Sequence, residues 1–383
     1  MSLVNAPSSR SLMAIDLLRF GAAMLVVANH YFTTFTLDPD SVIRFVMPIG
    51  SNWNEWAPFT AFGWIGVEIF FVISGYVIAM SAVNASGSSF FRRRVERLLP
   101  VAFICASVTA VALIAAGVPL EPISAAWQRS VTFFPIGEQI DVSYWTLGIE
   151  VNFYILVGLM ITLSRGEKTL DTIAILVGVF STVFWLVIEP NDFLGARSSE
   201  DRYVQLALLV HGCFFALGMT VWRLAHRPPR WSWIVYATGL TMVCFIEIFN
   251  HGQERWHAME ADFGQWGGPA LFAGTLLLIV FAKPLQPWIG KRLNGNLIIT
   301  LGMATYPLYL IHQYSGAVII AKLLGLGIPY LLSALITWGL AIGFSVLIVT
   351  YCEKPIVMAV RSLLNRVIAP RGQARDNHPI PSP

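Results

Sequence analysis

Apolar residues come in long blocks along this chain, at about 12–32, 64–84, 98–118, 145–163, 170–188, 203–224, 231–249, 267–283, 297–320 and 327–349. Each approaches the roughly 20 residues that cross a bilayer as a helix. The pattern predicts an all-α, polytopic integral membrane protein of about ten transmembrane helices, and an even number puts both termini on one side. The first block breaks its own pattern, because it carries Asp16, Arg19 and His30. A charge near the bilayer centre costs roughly 2.5–3.5 kcal/mol on insertion scales, so three ionisable groups in one span need a reason.

At about 100° per residue, His30 lies about 20° around the helix from Arg19 and about 40° from Asp16, so the three share a stripe. The small residues Ala22, Ala23, Val26 and Val27 run along it. Two readings fit. Asp16 and Arg19 neutralise each other while His30 sits among headgroups, or a polar seam about 16 Å long runs through the membrane.

Composition agrees with a membrane protein and excludes a soluble domain: of 383 residues, 56% are hydrophobic and only 12% charged, with a mean hydropathy of +0.66. The net charge of +3 gives no reason to expect a nucleic-acid partner. Cys105, Cys213, Cys244 and Cys352 lack metal-type spacing, so neither a disulfide nor a metal site is expected. No small-residue cleavage pattern follows the first block, which is therefore read as a retained span. With the amino terminus cytoplasmic, the inner segments hold 18 of the 25 Lys and Arg residues and the outer segments 6. The positive-inside rule then places both termini in the cytoplasm. Trp53, Trp56, Trp127, Trp256 and Trp266 fall in outer segments, as an interfacial aromatic belt or a platform for sugar rings. The tail from Pro370 to Pro383 has no apolar periodicity and is expected to be disordered.

Later blocks carry further polar intrusions. GWIGVEIFFVISGY (63–76) sets Glu68 about one turn inside the outer surface, flanked by Gly63, Gly66 and Gly75, which allow close helix approach. FFRRRVERLLP (90–100) places Arg94 and Arg97 three apart, on one helical face, where two guanidinium groups suit phosphate. YWTLGIEVNFY (144–154) puts Glu150 four residues before Tyr154, LGMATYPLYLIH (301–312) puts Tyr309 and His312 on one side beyond Pro307, and the last block runs into YCEKP (351–355).

These six motifs, in this order and over nearly the whole chain, resemble membrane-bound acyltransferase family 3, the multi-span enzymes that O-acylate bacterial surface glycans. The resemblance implies a single transmembrane acyltransferase domain over 1–369. It implies a catalytic histidine at His30, a functional arginine at Arg19, paired arginines at Arg94 and Arg97, and the acid of the W-x-L-x-x-E-like motif at Glu150. The family usually has Gly at Leu17, Asp at Glu68 and a second acid at Val151. Many members add an esterase-like domain, which is not expected here.

The expectation is an O-acyltransferase of the bacterial inner membrane, most often an O-acetyltransferase. It takes acyl-CoA, acetyl-CoA in particular, as donor substrate and a glycan or glycolipid hydroxyl as acceptor. Arg94, Arg97 and Arg19 would bind the donor, His30 would act as general base supported by Glu68 or Glu150, and Asp16, Tyr154 and His312 would line or support the channel. Beyond membrane lipids, a second copy or a glycan-assembly partner is compatible. The alternatives are a proton-coupled carrier or flippase, for which the sequence shows no inverted pair of broken helices, and a non-catalytic member of a surface-glycan assembly.

Overall fold

The computed structural model describes residues 12–47, 53–195 and 198–352, whose regular structure is all helical, with no strand among them. The Glu353 and Lys354 end of the last motif and the tail after Pro370 lie outside them. The main helices are α1 (Met13–Asn29), α2 (Gly66–Ala82), α3 (Gly87–Ala115), α4 (Leu120–Thr132), α5 (Tyr144–Leu163), α6 (Glu167–Val183) and α7 (Gly212–His226). Then follow α8 (Trp231–Ala258), α9 (Gly267–Val280), α10 (Ala282–Arg292), α11 (Gly295–Ile311), α12 (Tyr314–Gly325) and α13 (Tyr330–Leu347). Among the described residues seven helices are long and apolar enough to cross a membrane, or up to nine if the bent pairs α9–α10 (78°) and α11–α12 (71°) each count as one span.

The remaining predicted block, 203–224, divides into a short helix at Arg202–Leu206, a turn, and α7, which is fifteen residues long. Its apolar side chains gave no hint of the break. The turn is tolerated because Val210's freed carbonyl accepts hydrogen bonds from Trp185 Nε1 (2.9 Å) and Ser181 Oγ (3.3 Å), groups that arrive from α6 and its extension. Two of the apolar blocks are bent pairs, breaks that the sequence pattern did not reveal. They follow one another in the last third of the chain and are not paired across its two halves.

Helix α1 is the axis of the bundle. The stripe Ala22, Ala23, Val26 and Val27 is buried, and the backbone comes very close to its neighbours there. A Cβ added to Gly63 would lie 2.1 Å from the Leu25 carbonyl oxygen, and one on Gly66 2.4 Å from that of Ala22. On the other flank a Cβ at Gly302 of α11 would lie 2.6 Å from the Cβ of Asp16. The contact between α2 and α7 is reciprocal: a Cβ on Gly75 would be 2.1 Å from the Phe215 oxygen, and one on Gly218 1.9 Å from the Val72 oxygen. Without a hydrophobic driving force between helices in lipid, such close approach is the main source of packing energy. Leu176, Val179, Phe180, Leu331 and Leu335 on the outer faces of α6 and α13 are exposed, as lipid-facing side chains are.

Gly218→Ala is therefore expected to destabilise the bundle by the upper end of the ~1–3 kcal/mol usual for overpacking, or by more, because two backbones must separate. Gly239→Ala, where a Cβ meets nothing within 4 Å, is the control. Thermal unfolding in detergent checks this, and equal melting temperatures for the two variants would refute the packing argument.

Candidate active site

Helix α1 ends in a widened π turn, His30–Thr34, a feature often found where a side chain must be aimed at a site. Its neighbours hold it rigidly. Asn29 Nδ2 donates to the carbonyls of Thr60 (3.0 Å) and Ala61 (2.9 Å), and Tyr31 donates its hydroxyl to the His312 carbonyl at 2.9 Å. Tyr330 in turn donates to the Tyr31 carbonyl.

His30 Nδ1 stands 2.7 Å from His312 Nε2, and His312 Nδ1 stands 2.7 Å from the Tyr309 carbonyl oxygen. A carbonyl only accepts, so His312 Nδ1 carries its proton and, in the neutral ring, Nε2 is an acceptor. His30 must then donate from Nδ1. The ring planes are within 5° and the centroids 4.9 Å apart, so the imidazoles meet end to end, in plane. This assignment leaves His30 Nε2 with its lone pair free on a ring that lines a chamber.

Three chambers adjoin along the bundle. One of about 270 Å³, called outer because the positive-inside rule predicts that end of the bundle to face outward, is bordered by His30, Glu68, Trp64, Trp145 and Arg255 among others. An inner one of about 330 Å³ is bordered by Asp16, Arg19, Arg97 and Gly302. The middle one, about 70 Å³, is a neck bordered by Arg19, Arg94, Arg97, Glu150 and Tyr154. Arg19, Val77, Arg97 and Tyr306 line both the inner chamber and the neck. Val67 and Tyr309 line both the neck and the outer chamber.

The residues singled out in the sequence fall into two groups. His30, Glu68 and, behind His30, His312 belong to the outer chamber; Asp16, Arg19, Arg94, Arg97, Glu150 and Tyr154 belong to the neck and the inner chamber. The carboxylate expected against His30 is not the partner the structure provides. Glu150 instead accepts from Ser74 Oγ at 2.7 Å and from the Tyr154 hydroxyl. Glu68 shares the chamber with His30, yet its Oε2 is buried without a hydrogen bond. The ring contact goes to His312, which the break between α11 and α12 carries up against the end of α1.

Nor do Asp16 and Arg19 neutralise each other directly, since no ion pair within 4.0 Å joins them; the seam reading of α1 is the one the cavities support. Arg94 and Arg97 also differ. Arg94 is buried, stacks 5.1 Å from the ring centroids of both Phe90 and Tyr154, and donates to Ser81 Oγ at 2.5 Å. Arg97 borders both chambers, and no hydrogen bond or ion pair to a described residue occupies its guanidinium.

Sequence reasoning missed the far wall of the outer chamber. Helix α8 continues to Ala258, well past the apolar block 231–249, and brings His251 and Arg255 to the chamber and Glu247 just behind it. The four-residue spacing of Glu247, His251 and Arg255 was a readable signal for one helical face. Asp141 was also missed. It accepts from Ser143 N (2.9 Å), Ser143 Oγ (2.7 Å) and Tyr314 N (2.8 Å), so it ties the start of α5 to the first residue of α12, beside His312. Burial pushes its carboxyl up to about 6, against the pull of those hydrogen bonds.

An all-helical membrane bundle with a histidine pair above an arginine-lined neck defines a polytopic membrane protein built around an ionisable cleft. The family described as an acyltransferase domain, acyltransferase family 3, matches residues 13–353, and the chain belongs to it. It is 26% identical over 81% of its length to a Bacillus subtilis protein provisionally named peptidoglycan O-acetyltransferase YrhL, covering 53% of that protein. It is likewise 26% identical over 65% of its length to a provisionally named O-acetyltransferase of Staphylococcus aureus, covering 45% of it. Nodulation protein 10 of Rhizobium leguminosarum is 24% identical over 64% of this chain and 72% of its own. The chain thus spans about half the length of the first two relatives. No solved structure matches it.

Proposed function

We propose that the protein is a membrane O-acyltransferase, most simply an O-acetyltransferase, of the bacterial inner membrane. It would move an acyl group from cytoplasmic acyl-CoA to a hydroxyl of a surface or exported glycan. The observation that carries this reading is His30, its Nε2 left with a free lone pair by the hydrogen bond to His312, lining a chamber that adjoins, through a neck, a second chamber lined by the guanidinium groups of Arg19 and Arg97. The names of the relatives support acetyl as the group transferred.

In this mechanism Arg97, with Arg19, holds the donor's phosphates at the inner mouth, and Arg94 fixes the wall of the neck. The slender arm of the donor runs through the neck past Glu150 and Tyr154 and presents the thioester near Tyr309, at the boundary of the outer chamber. His30 Nε2 takes the proton of the acceptor hydroxyl as its oxygen attacks the thioester carbonyl. The carbon–sulfur bond breaks, and the proton passes from His30 to the departing thiolate. His312 and the Tyr309 carbonyl keep the His30 ring oriented and share the positive charge that forms.

Membrane vesicles containing the protein should release thiol from acetyl-CoA only when crude surface glycan is present. In Arg97→Gln the KM for acetyl-CoA should rise about tenfold to a hundredfold, the loss of one or two charge-assisted contacts, with kcat little changed. A carrier would release no thiol under any combination of donor and acceptor. Wild-type donor dependence in Arg97→Gln would reduce that arginine to a determinant of membrane topology.

A further inference from the structure

A second constellation lies behind the wall of the outer chamber, and the acyl-transfer scheme does not use it. Glu68 of α2, His211 at the start of α7 and Glu247 of α8 converge, each offering one ligand atom, with all three atoms within 4.8 Å of one another. They are exposed by only 3%, 4% and 1%, so water does not compensate them. Glu68 Oε2, Glu247 Oε2 and both ring nitrogens of His211 are buried without a hydrogen-bond partner. Four orphaned polar atoms in one cluster each forfeit on the order of 1–3 kcal/mol unless something satisfies them.

Two fillings would do so: a proton shared between His211 and a glutamate, or a metal cation. A shared proton draws its two heavy atoms to hydrogen-bond distance, below about 3.2 Å. His211 Nδ1 and Glu247 Oε1 instead stand 3.6 Å apart. That is too far for a hydrogen bond and close to the roughly 3.4 Å that separates two ligands of one tetrahedral zinc with bonds near 2.0–2.1 Å. An imidazole and two carboxylates are ligands of the borderline divalent class, zinc above all.

The surroundings are consistent with a cation. Arg255 lies within electrostatic reach of Glu68, and Arg202 of His211, but neither forms an ion pair within 4.0 Å with either glutamate, and Arg255 Nη2 donates to Asn29 Oδ1 at 3.3 Å. His251 stands on the chamber side, where its ring meets that of Trp64. The free thiols of Cys213 and Cys244 lie within electrostatic reach of Glu247 on the other side. Phe71 and Trp145 pack around the His211 ring and keep the site dry. We propose that Glu68, His211 and Glu247 bind one divalent transition-metal ion of the zinc class, tying α2, α7 and α8 together at the back of the outer chamber. Glu68 also borders that chamber, which gives the ion its route of entry. The proposal departs from the expectation of no metal site, which rested on cysteine spacing. It does not depend on the acyl-transfer reading.

The test uses the full chain purified in detergent, stripped with a chelator and reloaded with Zn²⁺ or Co²⁺ alone. After desalting, elemental analysis should find about one ion per chain, and Co²⁺ should give the visible absorption bands of a low-coordinate nitrogen–oxygen site. The metal should raise the melting temperature of the wild type. In Glu247→Gln and His211→Asn metal content should fall at least about tenfold, and the melting temperature should no longer respond. Wild-type protein that retains no metal and whose melting is unchanged by it would overturn the proposal and favour the shared proton, as would a Glu247→Gln variant that melts at or above wild type. Full metal content in both variants would place the ion elsewhere and overturn it equally. Because wild-type stoichiometry decides by itself, variants that fail to insert leave the test intact.

Discussion

Replacing His30 with alanine should abolish glycan-dependent thiol release from acetyl-CoA, with a loss of about 10²–10⁴-fold or more, the usual contribution of a positioned general base. The fold should survive the change. Asn29 and Tyr31 anchor the turn on either side through their own hydrogen bonds, and His30 itself is only half-buried. His30→Gln gives a sharper comparison, because its amide N–H can still donate to His312 Nε2 while it offers no basic nitrogen. Both variants should be inactive at wild-type abundance in the membrane and should bind coenzyme A as the wild type does, measured by thermal shift. Activity within tenfold of wild type in His30→Gln would show that this imidazole is not the base.

The second large effect is expected at His312. Phenylalanine there keeps a ring of similar shape but removes the acceptor for His30 Nδ1–H, so that proton is left unpaired and the free lone pair is no longer held on Nε2. His312→Phe should lower kcat about a hundredfold while the KM for acyl-CoA stays near wild type, because the arginines of the neck are untouched. A rise in KM at constant kcat would mean instead that His312 shapes the donor channel. No change in either would reduce the pair to packing. The two variants together should lose little more than His30→Ala alone, since both disable one unit.

Much of this was legible in the chain. The run of apolar blocks gave the all-helical membrane class, and the 100° periodicity put Asp16, Arg19 and His30 on one stripe of α1, which lines the cavities as expected. The Glu150–Tyr154 spacing gave a hydrogen bond, and Gly63, Gly66 and Gly75 mark close backbone contacts. Those features are local: they depend on helical geometry within one segment or on the side chain a residue lacks. The boundary of α8 was less visible, because the helix runs past its apolar block, and His251 and Arg255 at its far end read as loop.

What the sequence alone determined, then, is the membrane class, the family and which residues sit on the working face of each helix. Which of those faces meet was decided by the tertiary structure. His30 and His312 are 282 residues apart, and nothing within either helix fixes their approach; it follows from the close packing of α11 on α1 at Gly302 and from the break that turns α12 away. Glu68 likewise meets His211 and Glu247 because α7 begins where an apolar block is interrupted, at a turn whose carbonyl is satisfied by side chains from elsewhere in the chain. The free energy that sets such meetings is packing and hydrogen bonding between distant segments, and helical periodicity carries no record of it.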